Sequence, residues 1–220
     1  KILAQIENQI DQIRSQAPVM TAQEVADKYG VHHVVNCPDF RAAEAMLEAC
    51  NKITKTGDSS GGLIEVRVTG VPTGLGEPVF CKLDAELGRM LGIGAVKGVE
   101  VGAGFAVKNM TGSRSNDQLS SQNGRVIFNS NNAGGITGGL STGQDIIVRL
   151  AVKPTSTIDI QQQTIDKYTL ENKTLAAITR RDPTIVGRIW PVAENYTALV
   201  ILDLLMAYLG YEQVRAAVRS

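Results

Sequence analysis

Asn131–Ile158 reads NNAGGITGGLSTGQDIIVRLAVKPTSTI. Gly134, Gly135, Gly138, Gly139 and Gly143 come first. Ile146, Val148, Leu150 and Val152 then alternate with Ile147, Arg149 and Ala151, the period of a strand with one buried face. Glycine has no Cβ, so the first part can approach a ligand closely. The last part, Lys153-Pro154-Thr155-Ser156-Thr157, offers one ammonium and three hydroxyls, which suits a phosphate. Pro154 fixes its own φ and restricts Lys153, so the segment is stiff. A plain strand between two turns fits the same residues.

The 220 residues are enough for one core or two small ones. Hydrophobic content of 43% and charged content of 20% fit a soluble globular protein. Lys+Arg and Asp+Glu both number 22, which gives no support to nucleic-acid or anionic-membrane binding. Cys37, Cys50 and Cys81 are odd in number and widely spaced, as expected in a reducing compartment such as the cytoplasm. No signal peptide is visible. The longest apolar run, Tyr196–Leu209, is short for a membrane span and contains Asp203.

Upstream of the opening stretch, Ile6, Ile10 and Ile13 recur at helical spacing, although Lys1–Ile6 also fits an edge strand. Thr21 and Glu24 form a capping box for a helix that stops at Gly30. His32 and His33 are adjacent in a strand or connector; in a strand they point to opposite faces and cannot easily share a metal. Asp39 begins a helix with Ala43, Met46, Leu47, Cys50 and Ile53 on one stripe, ending at Gly57. Gly57-Asp58-Ser59-Ser60-Gly61-Gly62 superficially resembles a serine-protease nucleophile loop, but it has two serines and no separate base and acid. It reads as a turn into a strand, Leu63–Thr69.

A loop follows from Gly70 to Pro78, then a helix from about Val79 with Leu83, Leu87 and Leu91 inward. Ala95–Val101 reads as a strand. Gly102-Ala103-Gly104-Phe105 lacks the third glycine and the helix of a dinucleotide fingerprint. Met110–Gly124 is polar and expected to be a mobile loop or lid. Arg125–Asn129 is a short strand. Near the C-terminus, Pro191 suits the first position of a last helix whose Ala198, Leu199, Leu202, Leu205, Met206 and Leu209 form a broad apolar face. Such a face is core or subunit contact.

In order, GDSSGG, GVPTGLGEPVFCKLDAEL, AVKGVEVGAGF, SNNAGGITGGLSTG, KPTSTI and RRDP closely resemble the motifs of chorismate synthase. The resemblance runs from about Asn36 to the C-terminus. It implies an α+β sandwich of two related halves, usually a homotetramer. It also implies a cytoplasmic lyase of the shikimate pathway, requiring reduced FMN. Such an enzyme eliminates phosphate in a 1,4-anti sense from 5-enolpyruvylshikimate 3-phosphate to give chorismate.

By the same resemblance, Lys153, Pro154, Thr155, Ser156 and Thr157 match the FMN-binding run. Gly138 matches a glycine lying on the flavin, and Gly94 and Ala95 match a dipeptide contacting FMN. Many relatives have Asn where Gly94 stands. Arg180 and Asp182 match the arginine and aspartate of a G-R-H-D-P motif, written here Thr179-Arg180-Arg181-Asp182-Pro183. Asp182 is implied as a base or proton relay beside the flavin, with Arg180 and Arg181 favouring its ionised form if close. By itself, RRDP also fits a turn with a surface ion pair. Cys81 stands where relatives commonly carry Asp. The family's F-G-E-S-H-G motif and arginine cluster have no match in this sequence, so a truncated chorismate synthase is expected, inactive by itself. The lack of an initiator methionine accords with that. The expected division is 1–56, a connector with helices, and 57–220, the FMN-binding core. The alternative is a non-catalytic FMN- or phosphate-binding or oligomerisation fragment.

Overall fold

A computed structural model describes Asp27, residues 35–177 and residues 182–219, with side chains as far as Gly210. The chain divides into two compact units, Lys1–Lys52 and Ile53–Ser220. Apart from Asp27 and Val35, the capping-box helix and the histidine pair lie outside the described residues. The first helix described in full, α1, spans Phe40–Thr56. Asp39 caps it, its Oδ1 accepting from the Ala42 N–H at 2.9 Å. Gly57, at φ +80°, ends it in the left-handed conformation that glycine tolerates best. Of the expected stripe, Ala43 is buried, Leu47, Cys50 and Ile53 are half-buried, and Met46 is exposed.

The second unit runs through β1 (Gly62–Val68), α2 (Leu83–Gly88), a 3-10 turn (Arg89–Gly92) and β2 (Val96–Val101). A further 3-10 turn (Gly104–Asn109) leads to α3 (Gly112–Ser115), β3 (Leu119–Gln122) and β4 (Arg125–Phe128). Then come β5 (Ile136–Thr137), β6 (Leu140–Ser141), β7 (Ile146–Val152), β8 (Gln162–Ile165), β9 (Asn172–Leu175) and α4 (Val186–Arg219). The fold is α+β, as the resemblance implied.

Strand β7 is the middle of an antiparallel sheet of order β1-β7-β2. Its alternation is realised without slippage: Ile146, Val148, Leu150 and Val152 are all buried. Directly opposed residues share a face, so Ile64, Leu150 and Val99 form one apolar row. On the other face, Arg149 bridges the flanking strands. Its Nε lies 2.8 Å from Glu65, and its Nη1 lies 4.0 Å from Glu100 and donates to the Gly102 carbonyl at 2.7 Å.

Leu83 and Leu87 of α2 join the core, as do Ile189, Ala193 and Leu204 of α4. The expected helix from Val79 starts four residues later, at Leu83, and leaves Val79 and Phe80 exposed. Leu91 is exposed rather than inward, because the chain tightens to a 3-10 turn after α2. Three residues per turn bring Met90, not Leu91, under Leu87.

The expected Met110–Gly124 loop instead holds α3 and the first strand of a β3–β4 hairpin. Asn123 and Gly124 sit at its tip with φ +52° and +73°, the pair that a tight hairpin turn favours. Asp117 fastens this segment. It accepts from Ser130 Oγ at 2.6 Å, from the Asn132 N–H at 2.7 Å and from the Ala133 N–H at 2.8 Å. Burial pushes the Asp117 carboxyl up, but the hydrogen bonds from Ser130, Ala133 and Asn132 outweigh it and hold it below its ordinary value.

Helix α4 starts at Val186, so Pro191 lies inside it rather than at its first position. The Ile185 carbonyl accepts from Arg188 at 2.9 Å and Ile189 at 3.2 Å, which closes the first turn ahead of the proline. Pro191 lacks an N–H, which removes only one bond of the ladder. The segment Val186–Gly210 is thereby long and apolar enough to cross a membrane by length and composition, more than the run Tyr196–Leu209 suggested. Here one side of it packs into the core. There Thr197 is buried and donates to the Ala193 carbonyl at 2.8 Å. Leu199, Leu202, Met206 and Leu209, from the expected apolar face, are exposed.

Leu150→Ala, at the centre of β7, is expected to cost about 2–5 kcal/mol in urea denaturation. Asp117→Asn tests the loop clamp. A carboxylate with a lowered folded pKa contributes stability above its unfolded pKa and loses it as pH falls through the folded value. The wild-type advantage over the Asn variant should therefore be present at pH 7 and shrink in acid, read from melting temperatures across pH.

Candidate functional site

The expected anion-binding segment begins where β7 ends. The Lys153 N–H donates to the Ala95 carbonyl at 2.9 Å, which continues the pairing of β7 with β2 by one residue. Ala95 itself has φ +70°, a left-handed conformation that costs a residue with a Cβ about 1–3 kcal/mol. Gly94 and Ala95 are thus joined to Lys153 through the backbone.

The turn after α1 closes over the same segment. Ser59 Oγ donates to the Thr155 carbonyl at 2.6 Å, and the Asp159 N–H donates to the Gly57 carbonyl at 2.7 Å. A Cβ at Gly61 would run into the Val152 carbonyl and the Pro154 ring, so only glycine fits there without a shift. Ser60 donates its N–H to the Pro183 carbonyl at 2.8 Å and forms a parallel bridge with Thr184. Thr155 Oγ1 donates to the Asp182 carbonyl at 2.9 Å. Residues 57–61, 94–95, 153–159 and 182–184 therefore meet at one end of the sheet.

The bonds also sort the hydroxyls. Thr155 commits its O–H to Asp182 and is structural in that respect. Lys153, Ser156 and Thr157 are exposed, and their ammonium and hydroxyls have no internal partner among the described residues. One cation with two free O–H groups is a donor set that fits a phosphomonoester. Above Gly94 a Cβ would meet nothing within 4 Å, so the backbone there is open to a flat group.

Gly138 is placed by other contacts. It lies in the β5–β6 turn at φ +64°, exposed, with nothing within 4 Å of a Cβ built there. Next to it, the Gly139 carbonyl accepts from the Leu83 N–H at 2.9 Å, and Lys82 methylenes fill the space where a Gly139 Cβ would stand. Ser141, buried, accepts from the Leu75 N–H at 2.8 Å and donates to the Pro72 carbonyl at 2.5 Å. The hairpin that presents Gly138 is thus fixed to the loop before α2.

Arg180 and Arg181 lie outside the described residues. Among the described residues, the cation beside Asp182 is one that the sequence reading did not single out: Arg188 Nη2 is 3.0 Å from Asp182 Oδ1. A pair six residues apart across a loop–helix junction has no periodic signature, which is why pattern reading misses it. Ser59 and Ser60 were also read only as turn residues; their spacing gives no hint that they clamp distant segments. Among the described residues, no group of three or more His, Cys, Asp or Glu could hold a metal ion.

A family model described as chorismate synthase matches residues 1–206. This chain belongs to the chorismate synthase family. The match starts ahead of Asn36, so it reaches further toward the N-terminus than the motifs alone did. The chorismate synthase of Methanosarcina mazei is 52% identical over 170 residues, 77% of this chain and 47% of that protein. That of Acetivibrio thermocellus is 48% identical over 183 residues, 82% of this chain and 46% of that protein. A crystal structure of a chorismate synthase superposes with TM-score 0.65 at 29% identity, covering 80% of this chain and 46% of that one. The chain spans about half the length of the curated relatives it matches.

The division among the hydroxyls is testable by stability. Thr155→Val should cost about 0.5–1.5 kcal/mol, the worth of one internal hydrogen bond. Ser156→Ala should stay within about 0.5 kcal/mol of wild type. Urea curves of equal slope showing the reverse order would reject the assignment.

Proposed function

We propose that this chain carries the FMN-binding part of a chorismate synthase. The reaction is the 1,4-anti elimination of phosphate from 5-enolpyruvylshikimate 3-phosphate to give chorismate, in the shikimate pathway. The observation that supports this reading is the convergence of Gly94–Ala95, Lys153–Thr157 and Asp182 at one end of the β1-β7-β2 sheet. Those segments lie far apart in the sequence; a backbone bond joins Lys153 to Ala95, and the Thr155 hydroxyl joins the segment to the Asp182 carbonyl. The family membership gives their convergence its chemical meaning.

In this reading the Lys153 ammonium and the Ser156 and Thr157 hydroxyls hold the FMN phosphate by charge-assisted hydrogen bonds. The open backbone at Gly94 and Gly138 lets the isoalloxazine ring lie close, and Arg180 completes the set. Pro154 keeps the segment from relaxing when no ligand is bound, so less ordering is needed on binding. Reduced FMN, when bound, supplies electron density as the carbon–oxygen bond to phosphate breaks. The Asp182 side chain would take up a proton as the carboxylate, or release one as the carboxylic acid, at the bound flavin. A homo-oligomer in the cytoplasm, a tetramer as in other members, belongs to the same proposal. The exposed apolar residues of α4 support association with another surface.

A second reading rests on the same donor set, Lys153 with Ser156 and Thr157. In it these residues bind FMN without turnover. Chorismate formation assayed on the 220-residue chain with excess reduced FMN separates the two readings.

In a full-length enzyme carrying these residues, Lys153→Ala should weaken FMN binding roughly ten- to a hundredfold. Lys167→Ala, in the turn between β8 and β9, is the control and should bind as wild type. Equal FMN affinity for Lys153→Ala and wild type in a fluorescence titration would remove Lys153 from the site.

A further inference from the structure

The backbone around Asp182 is held from two sides. Its carbonyl accepts from Thr155 Oγ1 at 2.9 Å, and the next carbonyl, of Pro183, accepts from the Ser60 N–H at 2.8 Å. Neither bond reaches its side chain. The carboxylate is part-exposed and has two soft torsions of its own, so a fixed backbone alone leaves it free to turn toward solvent.

Among the described residues, Arg188 is the one that reaches the carboxylate. Its Nη2 lies 3.0 Å from Asp182 Oδ1. It stands third in α4, where the positive end of the helix dipole disfavours a cation and the first turn itself holds no acidic residue. The helix gains nothing from a guanidinium there, which points to a role outside the helix. The first turn is also a firm support. Ile185 and Val186 pack against the core, Ile189 is buried, and Val186 lies over Gly62 so closely that a Cβ there would sit 2.8 Å from it.

We propose that Arg188 is a positioning residue that holds the Asp182 carboxylate in one orientation for its proton-handling role. This rests on the reading of Asp182 given above. No bond is made or broken by Arg188; a single charge-assisted hydrogen bond restricts the orientation of the carboxylate.

The test uses a full-length enzyme carrying these residues, with Asp182→Asn, Arg188→Ala, Arg188→Lys and the double variant Asp182→Asn with Arg188→Ala. For each, kcat, KM, FMN affinity and Tm are measured. Because the pair is largely exposed, Arg188→Ala should lower kcat by roughly two- to fivefold, with FMN affinity unchanged. Arg188→Lys should recover part of the loss, since it keeps the charge but not the planar fork. The double variant should be no slower than Asp182→Asn alone, because two residues acting through one group are not additive. Wild-type kcat in Asp182→Asn would sink the reading of Asp182, whatever Arg188 does. A slow Asp182→Asn with a wild-type kcat and lowered Tm in Arg188→Ala would overturn this proposal alone and leave Asp182 in place. Additive losses in the double variant would overturn it too. If Arg188→Ala does not fold, Arg188→Gln takes its place, alone and in the double variant, under the same criteria.

Discussion

Strand β7 hydrogen-bonds to a neighbour on each side, so its register decides which residues of three strands reach the core. A one-residue slip would turn Ile146, Val148, Leu150 and Val152 outward and bring Arg149 inward. Arg149 already has two carboxylates and a carbonyl within reach on the outer face. The buried row and the charged row therefore specify the same register from opposite sides. Everything after β7 inherits that decision, because Lys153 leaves the strand in the position that Val152 fixes.

The candidate site is built mainly from hydrogen bonds to backbone carbonyls. Ser59 and Thr155 are 96 positions apart, yet a hydroxyl of one meets a carbonyl of the other at 2.6 Å. Thr155 in turn reaches Asp182, and Ser60 reaches Pro183. A buried or half-buried carbonyl left without a donor costs more than a typical hydrogen bond gains, so such clamps are exacting about position. They consume the hydroxyls of Ser59 and Thr155 and leave Lys153, Ser156 and Thr157 facing outward. Placement and ligand chemistry are thus divided among neighbouring residues of one short motif.

Helix α4 shows a different balance. It buries Ile189, Ala193 and Leu204 against the sheet, while Leu199, Leu202, Met206 and Leu209 stay exposed. A helix apolar on two sides is composed to meet two surfaces. Its first turn carries the Arg188 that pairs with Asp182, and the turns that follow serve the core.

Periodicity alone determined β7, α1 with its Asp39 cap and Gly57 stop, and the inward faces of β1 and α2. These are local patterns in which propensity, capping and burial agree. The long run of motifs around GDSSGG, KPTST and RRDP was enough to indicate the family. Other features depended on contacts distant in sequence. Leu91 lost its core place to Met90 because packing tightened the helix end into a 3-10 turn. The polar stretch before Gly124 became ordered because Asp117 found three donors beyond Phe128. Asn123-Gly124 was a legible hairpin signal there, outweighed in the reading by the polarity around it. Pro191 was absorbed into α4 because Ile185 closes a turn ahead of it. Arg188 became the partner of Asp182 only through the path of the loop between them. Composition and spacing report what a residue can offer. Which group receives the offer is set by the tertiary path, because a hydrogen bond's worth falls away within an ångström of misplacement.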